Sequence, residues 1–147
     1  MPGTDGRAGW MATLAEADPA RLEAAWCDLG APLHRWLRPA ETGLVMLRGR
    51  IGGSGSPFNL GEMTLTRAAV LVEERWTGFG HVAGRARRHA ELAALLDALL
   101  QDPARQAALL RSVVEPLRLA AAKAAACRAA AVGPTRVDFA TLVRGDD

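Results

Sequence analysis

Two β-rich runs joined by a stretch of small, turn-forming residues constrain this chain more than any other feature. Glu41-Thr42-Gly43-Leu44-Val45-Met46-Leu47-Arg48-Gly49-Arg50-Ile51 leads into Gly52-Gly53-Ser54-Gly55-Ser56-Pro57-Phe58-Asn59-Leu60-Gly61, and the chain returns through Glu62-Met63-Thr64-Leu65-Thr66-Arg67-Ala68-Ala69-Val70-Leu71-Val72. This is a strand–loop–strand pattern, and it predicts an antiparallel sheet built around residues 44–51 and 63–72. The loop is about ten residues long, beyond the two to five usual for a hairpin, and loops are where function concentrates. Side chains alternate along a strand, so Val45, Leu47, Gly49 and Ile51 share one face, and Leu44, Met46, Arg48 and Arg50 share the other. The second face therefore turns from apolar to cationic as it nears the loop. Arg67, on the returning strand, joins that patch if the register allows.

Guanidinium forks suit phosphate or carboxylate through paired charge-assisted hydrogen bonds. Gly52, Gly53, Ser54 and Gly55 would let backbone N–H groups approach an anion closely. The alternative for the same residues is a solvated sheet face beside a flexible loop.

The 147 residues suit one domain, and half of them are apolar, so the composition is that of a chain with a core. No apolar run approaches the ~20 residues that span a membrane, and the N-terminus has no signal-peptide segment, so the expected location is cytoplasmic. The net charge is +2, which does not argue for nucleic acid, and Lys123 is the only lysine among many arginines. Cys27 and Cys127 lie far apart and predict two reduced, buried thiols. His34, His81 and His89 have no ligand spacing among themselves, so no self-contained metal site is expected.

The rest of the chain divides by its punctuation. Trp10, Met11 and Leu14 mark a first short helix, and Asp18-Pro19 starts a second that carries Leu22, Ala25, Trp26 and Leu29 and ends at Gly30. Together they predict a helical hairpin over about 5–30. The segment 33–38 reads as a short strand that Pro39 stops, and Trp76 to Gly84 as another. Gly78 and Gly80 there allow close backbone approach or bulges. The sheet, about 33–84, is expected to be an antiparallel meander of three to four strands.

Helices then fill about 86–132. Leu92, Leu95, Leu96, Leu99 and Leu100 form the stripe of a packed amphipathic helix. Arg85, Arg87, Arg88 and His89 at its start run against the dipole preference for acids there, which points either to a nearby anion or to an exposed basic turn paired with Glu91. Asp102-Pro103 starts a further helix, which Pro116 should kink or break. The Ala-rich segment after it buries little area of its own and calls for a close-packed partner. The tail, 135–147, alternates Val137, Phe139, Thr141 and Val143 and has strand character. It is expected to dock, on this chain or another, rather than dangle. The fold class is thus α+β.

Several blocks, in one order, resemble the PhnG family, subunits of the bacterial carbon–phosphorus lyase core complex. They are Glu41-Thr42-Gly43-Leu44-Val45, Arg50-Ile51-Gly52-Gly53-Ser54-Gly55, Gly61-Glu62-Met63-Thr64-Leu65-Thr66-Arg67, Gly84-Arg85, His89-Ala90-Glu91, Asp97-Ala98-Leu99, Thr135-Arg136-Val137-Asp138-Phe139 and Val143-Arg144-Gly145. Two positions depart from the family pattern: Ala86 stands where it has Asp, and Ala140 where it has an aromatic.

The resemblance implies action with PhnH-, PhnI- and PhnL-like partners. Together these displace adenine from ATP with methylphosphonate, giving α-D-ribose 1-methylphosphonate 5-triphosphate. A PhnJ-like subunit later cleaves the carbon–phosphorus bond, and the whole forms a higher-order symmetric complex. It implies a transferase subunit inactive alone, with no cofactor of its own, ATP being the substrate of the complex. The anion or interface candidates are then Arg48, Arg50, Arg67, Arg85, Arg87, Arg88 and His89, with the loop Gly52, Gly53, Ser54 and Gly55. Arg136, Val137, Asp138, Phe139, Val143 and Arg144 form the partner-docking tail. A non-catalytic scaffold and a self-standing anion- or nucleotide-binding module are the competing readings.

Overall fold

The structure is a computed structural model and describes residues 6–133; the tail residues Arg136, Val137, Asp138, Phe139, Val143 and Arg144 lie outside the described residues. The elements run α1 (Arg7–Glu16), α2 (Pro19–Asp28), β1 (His34–Arg50), β2 (Pro57–Val72), β3 (Trp76–Ala83), α3 (Arg87–Leu100), α4 (Pro103–Leu109) and α5 (Glu115–Val132). The three strands form one antiparallel sheet in the order β1-β2-β3. The α+β class, two N-terminal helices and an antiparallel meander are as the sequence predicts.

Two boundaries differ, and both have a physical reason. The expected break at Pro39 is not a strand end. β1 runs through it, with register shifts between Trp36 and Arg38 and between Arg38 and Glu41. Bulges of this kind are where a strand accommodates a residue that cannot donate to the ladder. The long Gly-rich loop is also shorter than expected. Strand pairing extends to Arg50 opposite Pro57, leaving a turn of 3-10 helix at Ile51–Gly53 and a few residues after it. Gly52 and Gly53 have φ of 59° and 82°, a region that favours glycine, so the glycines make the reversal tight.

α3 is the centre of the molecule. Leu92, Leu95, Leu96, Leu99 and Leu100 are buried, but so are Ala90, Ala94 and Ala98. The alanines repeat at i, i+4 and i+8 and meet Gly78 and Gly80 of β3. A Cβ at Gly78 would overlap the carbonyl oxygen of Ala94, and one at Gly80 that of Ala90. Of the two readings open for these glycines, close backbone approach is the one observed. α1 and α2 pack on α3 and add Trp10, Leu14, Leu22 and Trp26 to the same core.

Asp97, fully buried on α3, ties three elements together. Its Oδ1 accepts from Trp10 Nε1 at 2.9 Å and Arg7 Nε at 3.2 Å, and its Oδ2 from Arg7 Nη2 at 2.7 Å and the Phe79 backbone N–H at 2.9 Å. The last bond occupies a donor on the free edge of β3, which would otherwise be open to strand addition.

Pro116 neither breaks nor sharply stops the C-terminal helices. Leu110–Val114 widens into a π turn that joins α4 to α5. Proline has no N–H and crowds the carbonyl four residues back, and a widened turn relieves both problems. Beyond Leu117, α5 is largely exposed, and Cys27 and Cys127 are both exposed, which corrects the expectation that these thiols are buried. Cys127 follows from α5 carrying its alanines into solvent.

The Gly–Ala contact should dominate stability. Gly80→Ala is expected to lower the urea-unfolding free energy by about 3 kcal/mol, because backbone rather than a flexible side chain must yield. Gly43→Ala, which meets nothing within 4 Å, should change it by less than about 1 kcal/mol.

Candidate functional site

Three of the sequence blocks meet at one place, where the β1–β2 hairpin leaves the three-stranded sheet. β3 pairs with β2 only from Leu65 onward, at Ala83. Beyond that level, among the described residues, β1 and β2 continue as a two-stranded ribbon. At its base, Glu41 lies opposite Arg67, Thr42 opposite Thr66 and Gly43 opposite Leu65. Thr66 Oγ1 donates to the Gly84 carbonyl at 2.6 Å. Its single proton is thereby used, so Thr42 Oγ1 is the donor in the 3.0 Å contact between the two hydroxyls. The Gly84 N–H returns a bond to the Thr64 carbonyl at 2.8 Å, and Gly84 has φ of 86°. The Glu41-Thr42, Thr64-to-Arg67 and Gly84-Arg85 blocks are thus one hydrogen-bonded junction.

On the other face of the junction, Glu41 Oε1 accepts from Arg38 Nη1 at 2.6 Å and from Arg67 Nε at 2.8 Å. Those two bonds, Arg38's first and Arg67's second, hold the Glu41 carboxyl below its ordinary pKa of 4.5. An open depression beside this bridge is lined by Glu41, Gly43, Val45, Leu65 and Arg67. The bridge and depression could take an anion only if it displaced or shared Glu41.

The candidate cations therefore separate into groups. Arg67 does not join Arg48 and Arg50: the register sets it opposite Glu41, on the face of Val45 and Leu47. Arg50 Nη1 donates to the Gly55 carbonyl at 3.1 Å and braces the turn that carries Gly52, Gly53, Ser54 and Gly55. Arg88 is held by Glu23, with bonds of 2.6 and 2.8 Å, and by Glu91 at 3.2 Å. The Glu23 hydrogen bonds are the main cause of its raised pKa, and Glu23 is lowered in turn.

His89 is buried, and its Nε2 lies 2.8 Å from the Leu14 carbonyl, which can only accept. That nitrogen is therefore the donor, and His89 is a tie between α3 and α1 rather than an anion ligand. Among the described residues, Arg48, Arg85 and Arg87 have no carboxylate partner.

The Gly-rich turn and the Arg85–His89 helix start do not form one basic concavity. The turn is at the ribbon tip and Gly84 is at its base, six strand residues away, or about 20 Å at the usual rise per residue.

Sequence reasoning left Glu41 without a partner and did not single out Glu23 or Asp97. Asp97 had a readable signal: an acid inside the leucine stripe of a buried helix, where only a paired charge is tolerated. Glu23 had none, because its partner Arg88 comes from a distant element; Glu41 takes Arg38 from its own strand and Arg67 from across the sheet.

Residues 5–145 match the family described as phosphonate metabolism protein PhnG. A relative from Rhizobium meliloti (strain 1021), named alpha-D-ribose 1-methylphosphonate 5-triphosphate synthase subunit PhnG, is 41% identical over 138 residues, covering 93% of this chain and 88% of the relative. The chain belongs to the PhnG family.

Two outcomes follow from the junction. Glu41 should titrate below 4.5 in a carboxyl-resolved NMR titration, and Arg38→Ala and Arg67→Ala should each move its midpoint upward. Because the folded value is depressed, any stability the bridge adds is complete above the unfolded pKa and is lost as pH falls through the folded one. Second, Ala86, where the family pattern has Asp, is the N-cap of α3 and makes no side-chain cap bond. Ala86→Asp should raise the unfolding free energy by about 1 kcal/mol, read from urea melts.

Proposed function

We propose that this chain is a subunit of α-D-ribose 1-methylphosphonate 5-triphosphate synthase and works in a complex with PhnH-, PhnI- and PhnL-like partners. The observation that carries the reading is the match to the PhnG family along nearly the whole chain, with a 41% identical relative named as that subunit. In the reaction, a phosphonate oxygen takes the place of adenine on the ribose carbon of ATP. The bond to the base breaks and adenine leaves with a proton.

In this reading the chain supplies position and charge rather than a nucleophile, through groups fixed at a shared interface. Arg85 and Arg87 are the candidate guanidinium groups best suited to a triphosphate or phosphonate, since no carboxylate among the described residues neutralises them. The scaffold reading is the second one. It is favoured by a specific observation: Glu41 already engages Arg38 and Arg67, and Glu23 and Glu91 engage Arg88.

No helix among the described residues is long and apolar enough to cross a membrane. We place the complex in the cytoplasm, where ATP is at hand.

The test is adenine release from ATP with methylphosphonate, measured with the partners, with and without this chain. Product should require the chain together with its partners, and the chain alone should yield none. Equal product without it would refute the synthase role. Arg85→Ala and Arg87→Ala together should cut turnover at least tenfold with the complex still assembled. Unchanged turnover would leave the scaffold reading.

A further inference from the structure

The ribbon beyond the sheet is the least explained part of the fold. Among the described residues, its stretch from Gly43 to Thr64 pairs with no third strand, and most of it is exposed. A lone two-stranded hairpin is marginal in water. Yet this one exposes much apolar surface. Of the twelve large apolar side chains exposed among the described residues, seven lie in it: Leu44, Val45, Met46, Leu47, Ile51, Phe58 and Leu60.

They are arranged, not scattered. Val45 lies opposite Met63, and Gly49 opposite Phe58, on one face. A Cβ at Gly49 would lie 3.3 Å from the Phe58 ring and 3.9 Å from Leu60 Cβ, so Leu60, the extra residue of the bulge at Leu47 and Arg48, joins the same face. The opposite face carries Leu44 and Met46 before it ends in Arg48 and Arg50.

We propose that the Gly43–Thr64 ribbon is a docking arm that enters an apolar cleft rimmed by carboxylates on a different subunit of the assembly. The inference rests on the synthase-subunit reading above. Area supports a stable contact: the seven exposed side chains leave on the order of 600 Å² of apolar surface in water, near the ~800 Å² that each partner contributes to a standard interface. Charge selects the partner. The ribbon carries Arg48 and Arg50 against the single acid Glu62, so it has an excess positive charge at its outer half. Two ribbons stacked on each other would bring like charges together, whereas an acidic rim would neutralise them and fix the register of insertion. The Gly52–Gly53 turn, braced by Arg50, keeps the tip narrow.

The experiment co-expresses the full chain with the other synthase subunits and compares wild type with Leu47→Asp and with Arg48→Glu/Arg50→Glu. Each variant should lower recovery of the partners at least tenfold. Its circular dichroism and melting temperature, measured on the isolated chain, should match wild type, because the altered side chains are exposed. Amide exchange of wild-type residues 43–64 should slow at least tenfold on assembly, which tests the contact without a mutation. Wild-type recovery of partners by Leu47→Asp, or unchanged exchange on assembly, would overturn the proposal. A concentration-dependent dimer of the isolated chain that Leu47→Asp abolishes would overturn it in favour of self-association. Protection in the isolated monomer that is lost on truncation after Gly133 would overturn it in favour of this chain's own tail. If wild type recovers no partners at all, the synthase-subunit reading falls, and this inference with it.

Discussion

The close contact between β3 and α3 is the constraint on which the rest of the structure depends. Gly78 and Gly80 on one side and Ala90, Ala94 and Ala98 on the other let a helix lie against a strand with almost nothing between the backbones. That approach turns the leucines of α3 toward α1, α2 and α4, where each fully buried one contributes about 2 kcal/mol of transfer free energy. It also brings Asp97 to the edge of β3, within reach of the Phe79 N–H. A larger residue at either glycine would lift α3 away, and the leucine core and the Asp97 anchor would both loosen. A buried carboxylate is tolerable only because four donors converge on it, and those donors converge only because the helix sits this close.

The same tight body explains why the ribbon is separate. β3 stops at Ala83, and Gly84 turns the chain directly into α3. The short link that places α3 over β3 therefore ends β3's pairing with β2 at Leu65. The Thr42–Thr66–Gly84 relay sits at that branch point and fixes where the ribbon departs. The branch residues lie in blocks on which the resemblance to the family was read.

The parts of the fold that are local in sequence were legible in it. Asp18-Pro19 and Asp102-Pro103 start helices with the expected cap bonds, to Ala20 N and Ala104 N, because capping needs only neighbouring residues. Period-two alternation located the hairpin, though Pro39 concealed the continuity of β1 because a bulge is a property of pairing rather than of one strand. The site was less legible for a similar reason. Arg67, Arg88 and His89 drew notice as cations at suggestive positions, but their roles are set by Glu41, Glu23 and the Leu14 carbonyl, which come from elsewhere in the chain. Alternation could say which residues share a face on one strand. It could not say that the register puts Arg67 across from Glu41 and away from Arg48.

Ala86 sharpens the distinction between marking a family and performing its chemistry. An acid after the Gly-Arg pair invites a catalytic reading, but the position is the N-cap of α3, where an Asp would bond a free backbone N–H and offset the basic first turn. The alanine there makes no cap bond. His89 follows the same logic, as does Asp97. These residues build the body and aim the ribbon, while Arg85 and Arg87 at the helix start and Arg48 and Arg50 along the ribbon have no carboxylate partner among the described residues. A chain organised in this way directs its uncommitted charge and its uncovered apolar surface outward, where the chemistry of an assembly could make use of both.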